Sequence, residues 1–95
     1  MAIKLKPDYA DAHNNLGIAQ VAEGKIEEAI SHFKMAIKIK PDYAAAYNNL
    51  GAVLFAERKN EEAISHYKMA IKINPDYAAA QKNLEMALLR SEELE

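Results

Sequence analysis

Asparagine recurs at a fixed interval: Asn15, Asn49 and Asn83 stand 34 residues apart. Asn14 and Asn48 precede two of them, and Lys82 takes that place in the third. A carboxamide carries both a donor and an acceptor. A row of them can hydrogen-bond the backbone of an extended peptide without reading its side chains. The other candidates for chemistry are poorer. His13, His32 and His66 supply imidazoles, but no cysteine, HExxH pattern or carboxylate cluster accompanies them. No metal site is expected, and His13 reads as a satisfied core histidine. The pairs Glu27-Glu28 and Glu61-Glu62 belong at helix starts, where they complement the helix dipole. No nucleophile, phosphate loop or catalytic cluster joins them, so neither catalysis nor a cofactor is expected.

The asparagines sit within a longer repeat. Pro7 to Lys40 aligns without gaps on Pro41 to Asn74, with 24 of 34 residues identical. Residues 75–95 begin a third copy. Residues 1–6, MAIKLK, match Met35-Ala36-Ile37-Lys38-Ile39-Lys40 apart from Leu5. They read as the tail of a preceding second helix, so the chain is expected to start inside a repeat. Each full copy divides into two helices. The first runs roughly from Tyr9 to Ala22 and the second from Ile26 to Ile39. Asp8, Asp42 and Asp76 follow prolines and are expected to cap the first helices. Gly24 suits the left-handed residue that ends a helix. Its counterpart is Arg58, which disfavours that conformation. Asn60 is expected to shift this second turn by capping the next helix, or the turn straightens and exchanges helices with another chain.

Composition agrees with a helical protein of about one small domain. Only 3 Gly and 3 Pro occur in 95 residues, and the net charge is −2. Such a balance gives no general attraction to nucleic acid or anionic lipid. The first twenty residues hold no continuous apolar run, so neither a signal peptide nor a membrane span is expected there. A cytoplasmic location is the expectation.

The 34-residue period, the mid-helix glycines and the closing prolines resemble the tetratricopeptide repeat family. The matching residues are Leu16, Gly17, Ala29, Phe33, Ala36 and Pro41 in the first copy. In the second they are Tyr47, Leu50, Gly51, Ala63, Tyr67, Ala70 and Pro75. The resemblance implies an all-α, right-handed superhelical solenoid of antiparallel helix pairs, with first helices lining a concave groove. The last helix, with Glu85 in place of the glycine, is expected to be a polar-faced lid. The asparagines look like the ladder in the repeat domain of O-linked N-acetylglucosamine transferases, which holds substrate peptides. Asn49 also matches the central asparagine of the family's carboxylate clamp. The clamp's cationic positions are not matched, since Asn14, Ile18, Ala79 and Asn83 occupy them.

A helical wheel at 100° per residue puts Asn14, Asn15, Asn48 and Asn49 away from the core. The expected function is protein–protein interaction, with an extended or helical peptide bound in the groove. Asn15, Asn49 and Asn83 are the central contacts, flanked by Asn14 and Asn48. Ile18, Phe55, Met86 and Leu89 supply apolar contacts, and Lys82 and Arg90 some charge. The asparagines have a second reading, as bonds between helices that fix the stacking angle. Two other functions remain open. One is self-assembly into a homo-oligomer, through Ile3, Leu5, Arg58 and Asn60. The other is a regulatory repeat region of a larger enzyme.

Overall fold

Alanine marks the helix crossings. Ala10, Ala29, Ala36, Ala46, Ala63, Ala70, Ala80 and Ala87 are all fully buried in the computed structural model, which describes residues 5–94. Five helices fill that span: α1 (Leu5–Ala22), α2 (Ile26–Ile39), α3 (Ala44–Ala56), α4 (Asn60–Ile73) and α5 (Ala78–Leu94). Helix α1 packs on α2 and α3 on α4; across the copies, α2 packs on α3 and α4 on α5. The first helices α1, α3 and α5 touch through narrower patches. This is a stack of antiparallel pairs.

The core runs through the stack. Phe33, Leu50 and Tyr67 are the largest fully buried side chains, and Val53, Leu54 and Ala87 join them. Gly17 and Gly51 permit this closeness. A Cβ on Gly17 would lie 2.6 Å from the Phe33 ring, and one on Gly51 2.7 Å from the Tyr67 ring. The helical cost of glycine, about 1 kcal/mol, is therefore offset by ring packing that alanine would displace.

Several expectations are corrected. Helix α1 passes continuously from Leu5 through Pro7, with no break after residue 6. Proline is tolerated there because first-turn N–H groups have no intrahelical partner. Asp42 and Asp76 do not stand at the cap positions, since α3 begins at Ala44 and α5 at Ala78. Helix α3 starts from Tyr43, with no side-chain cap bond. Asp42 and Asp76 lie in turns closed by Tyr43 N–H to Lys40 C=O and Tyr77 N–H to Asn74 C=O.

The Arg58 turn neither shifts nor straightens. Arg58 adopts φ 65°, close to the 82° of Gly24. Lys25 N–H bonds Gln20 C=O and Lys59 N–H bonds Leu54 C=O, both at 2.8 Å, so both turns close alike. Asn60 is the first residue of α4 and makes no cap.

The lid is only partly polar: beside exposed Gln81, Lys82 and Glu85, Leu88 is 41% and Leu89 60% exposed on α5. Leu88 is the repeat equivalent of Leu54, which is buried in the core beside α4 residues. Leu16 is likewise exposed whereas its equivalent Leu50 is buried, because α2 packs on α3 and no described helix packs on α1 in that way.

Candidate functional site

One stripe of each first helix faces the same side of the stack. On α1 it carries Asp11, Asn15, Ile18 and Ala22. On α3 it carries Ala45, Asn49, Ala52 and Ala56, and on α5 Ala79, Asn83, Met86 and Arg90. The spacing of four, three and four residues keeps each set on one helical face.

The asparagines pair across these helices. Asn49 Nδ2 donates to Asn14 Oδ1 at 3.0 Å, linking α3 to α1. Asn83 Nδ2 donates to Asn48 Oδ1 at 3.0 Å, linking α5 to α3. Asn14 and Asn48 are buried, not turned outward as the helical wheel predicts. A first helix has two neighbours, its own second helix and the next first helix. A wheel with one core direction misses the second contact. Asn49 and Asn83 are half-buried, and Asn15 is exposed. Among the described residues, Asn49 and Asn83 each keep a carbonyl oxygen and one N–H free.

Beside Asn49 lies an open pocket of about 210 Å³ between α1 and α3. Ile18 and Val21 form one wall, Ala52, Val53 and Ala56 the other, and Ile26 and Phe33 the floor. The lining is apolar apart from the Asn49 amide.

The remaining expected contacts differ in their placement. Ile18 and Met86 are about half exposed, and Leu89 more so. Lys82 is exposed and Phe55 half-buried. Arg90 turns back into the protein. Its guanidinium carbon lies 3.4 Å from the Phe55 ring centroid, and Nε donates to Asn60 Oδ1 at 2.9 Å. Nη2 also donates to the Phe55 carbonyl. Of the expected self-association residues, Ile3 and the side chain of Leu5 lie outside the described residues. Arg58 is exposed, and Asn60 is buried against Arg90.

Two clusters escaped the sequence reading. Tyr43 donates a 2.6 Å hydrogen bond to Asp11 Oδ1, and Lys40 sits over the Tyr43 ring. Burial, with the bond to Asp11 and its charge, pushes the Tyr43 phenol up to about 12. The signal was Asp11 itself, a charge where the other copies have Ala45 and Ala79. The second cluster is Arg90 with Asn60, each of which replaces an apolar residue, Ala56 and Ile26, of the preceding copy.

The histidines serve the helix pairs. His32 Nδ1 lies 2.8 Å from Gln20 Oε1 on α1, and its ring stacks on His13. His66 lies against Tyr47 on α3. His32 and His66 thus face their own first helices, not each other. His13 is not satisfied, since its Nδ1 is buried without a partner. Among the described residues, no group of three or more potential metal ligands comes together. No described helix is long and apolar enough to cross a membrane.

This architecture has known counterparts. A TPR repeat model matches residues 19–57, and a tetratricopeptide repeat model matches residues 44–77. The second TPR of Spaghetti (RPAP3), solved bound to the HSP90 peptide SRMEEVD, superposes with a TM-score of 0.90 at 22% identity. That match covers 99% of this chain and 87% of the other. The N-terminal domain of stress-induced protein-1 (STI-1) from C. elegans matches with a TM-score of 0.85 at 27% identity, over 94% and 76%. The Sgt2 TPR domain from Aspergillus fumigatus matches with a TM-score of 0.84 at 24% identity, over 88% of this chain and 56% of that one. A search of curated proteins finds no match. The repeat period, the glycine-to-ring contacts, the stacked pairs and these similarities agree: the chain carries tetratricopeptide repeats and is an all-α helical-repeat solenoid.

Proposed function

We propose that this chain is a non-catalytic protein-interaction module, and that the face shared by α1, α3 and α5 binds an extended protein segment. The observation that carries this reading is the apolar pocket beside Asn49, on a face with free amide groups. Binding sites combine an apolar lining with a few placed polar groups. The free carbonyl and N–H of Asn49 and Asn83 suit a peptide backbone. The peptide-bound Spaghetti repeat domain supports the ligand class. It does not transfer the ligand, because Asn14, Ile18, Ala79 and Asn83 stand where the family's carboxylate clamp has its cationic positions.

The test is selection from a random peptide library, followed by affinity measurement on two variants. Ala52→Glu places a charge on the exposed wall of the pocket and should weaken binding at least about tenfold, or about 1.4 kcal/mol. Met69→Glu, on the outer face of α4, should leave affinity unchanged. Binders lost by Met69→Glu but kept by Ala52→Glu would overturn the groove reading. A second reading, homo-oligomerisation, rests on the exposed leucines of α5.

A further inference from the structure

Two steps of the groove are built from equivalent positions, yet one is open and the other is filled. Thirty-four residues separate Val21 from Phe55, Ile26 from Asn60, Asn49 from Asn83, Ala52 from Met86 and Ala56 from Arg90. In the first step these positions enclose the apolar pocket. In the second step Arg90 occupies the corresponding space, stacked on Phe55 and hydrogen-bonded to Asn60.

The filling depends on three departures from the repeat acting together. Arginine replaces alanine at position 90, giving a side chain long enough to cross the step. Asparagine replaces isoleucine at position 60, giving an acceptor for Nε. Phenylalanine replaces valine at position 55, giving a ring face that attracts a guanidinium. The first step has none of the three. Its wall ends in the methyl group of Ala56, and Ile26 offers no acceptor.

We propose that Arg90 is the specificity-determining residue of the groove. It closes the second step and leaves the pocket between α1 and α3 as the anchor site for one branched aliphatic side chain of a peptide. This rests on the reading of the groove as a peptide surface. The lining selects the occupant. A guanidinium would lose its amide acceptor against Ile26, and a carboxylate would find only the one free N–H of Asn49 in an otherwise apolar lining. An aliphatic group fits, and the Asn49 amide beside it can hold the adjoining backbone.

Methyl-resolved NMR titration with N-acetyl-leucinamide as the probe tests this. In the wild type, saturable shifts are expected at Ile18, Val21 and Val53, with one probe bound per chain. Arg90→Ala should add a second saturable set at Met86. Arg90→Met, which keeps a long side chain in the space, should not. The triple change Phe55→Val, Asn60→Ile and Arg90→Ala copies first-step residues into the second step. It should bind two probes, and it guards against a loss of α5 packing in the single variant. One bound probe in both the single alanine variant and the triple variant would overturn the role of Arg90 while leaving the groove reading intact. Wild-type shifts confined to Met35 and Met69, on the outer faces of α2 and α4, would overturn both.

Discussion

Arg58 and Gly24 take the same left-handed backbone, at φ 65° and 82°. For a residue with a Cβ this region costs about 1–2 kcal/mol. The Arg58 side chain is exposed and no described hydrogen bond or ion pair holds it. The turn is imposed by its surroundings: Lys59 N–H reaches back to Leu54 C=O while α3 and α4 pack on both sides. Glycine at this position relieves the strain and gives back part of the gain as chain entropy. Arg58→Gly should therefore raise the unfolding free energy by about 0.5–1 kcal/mol, measured by urea denaturation. A lower midpoint would show that the arginine makes a stabilising contact. The Gly24 turn was legible because glycine announces it. The Arg58 turn was not, because packing there overrides local preference. Asn60 misled for a similar reason. Its residue type suits a cap, but the choice was made by Arg90, 30 residues away.

At the level of the helices, most boundaries followed from glycine, proline and the repeat period, but α1 starts at Leu5 and runs through Pro7. Helix α2 spans Ile26–Ile39 as its pattern predicts. What escaped was the contact between successive first helices. Asn14 and Asn48 are buried in it, at 5% and 8% exposure, and each accepts one bond from the next copy. The bond joins the first asparagine of one copy to the second asparagine of the next, 35 positions apart. The sequence shows the repeat interval but not which of two adjacent amides crosses it. Such a bond contributes about 0.5–1.5 kcal/mol net, and leaving one partner buried alone costs more. A double-mutant cycle with Asn14→Ala and Asn49→Ala should give a coupling energy in that range. Coupling under about 0.3 kcal/mol would mean that the two amides do not hold α1 to α3. Peptide affinity measured on the same variants separates stacking from ligand contact. Loss of binding at unchanged stability assigns Asn49 to the ligand.

Taken whole, the molecule is longer than a globular domain of its size. Its radius of gyration is 13.5 Å, against about 12.4 Å expected for this length. A stack of pairs buries its interior well and its end surfaces poorly. Helix α3 touches all four other helices, whereas α5 touches only α3 and α4. The exposed side of α5 therefore carries Leu88 and Leu89, with Leu84 half-buried nearby. Fully burying an exposed leucine yields about 1.5–3 kcal/mol. Two partly exposed leucines on each partner supply only a few kcal/mol. Association costs about 4 kcal/mol or more in lost freedom. The balance is near zero, so self-association through this face is weak, with a Kd no tighter than about 1 mM (about −4 kcal/mol). Sedimentation equilibrium should find the 10.6 kDa monomer at low concentration. The average mass should begin to rise only at about 1 mM and above. Leu88→Lys should suppress that rise, because a charge on the contact would be desolvated without a partner. A wild-type mass that stays at 10.6 kDa throughout would remove α5 as an association surface and leave the groove as the remaining interaction face.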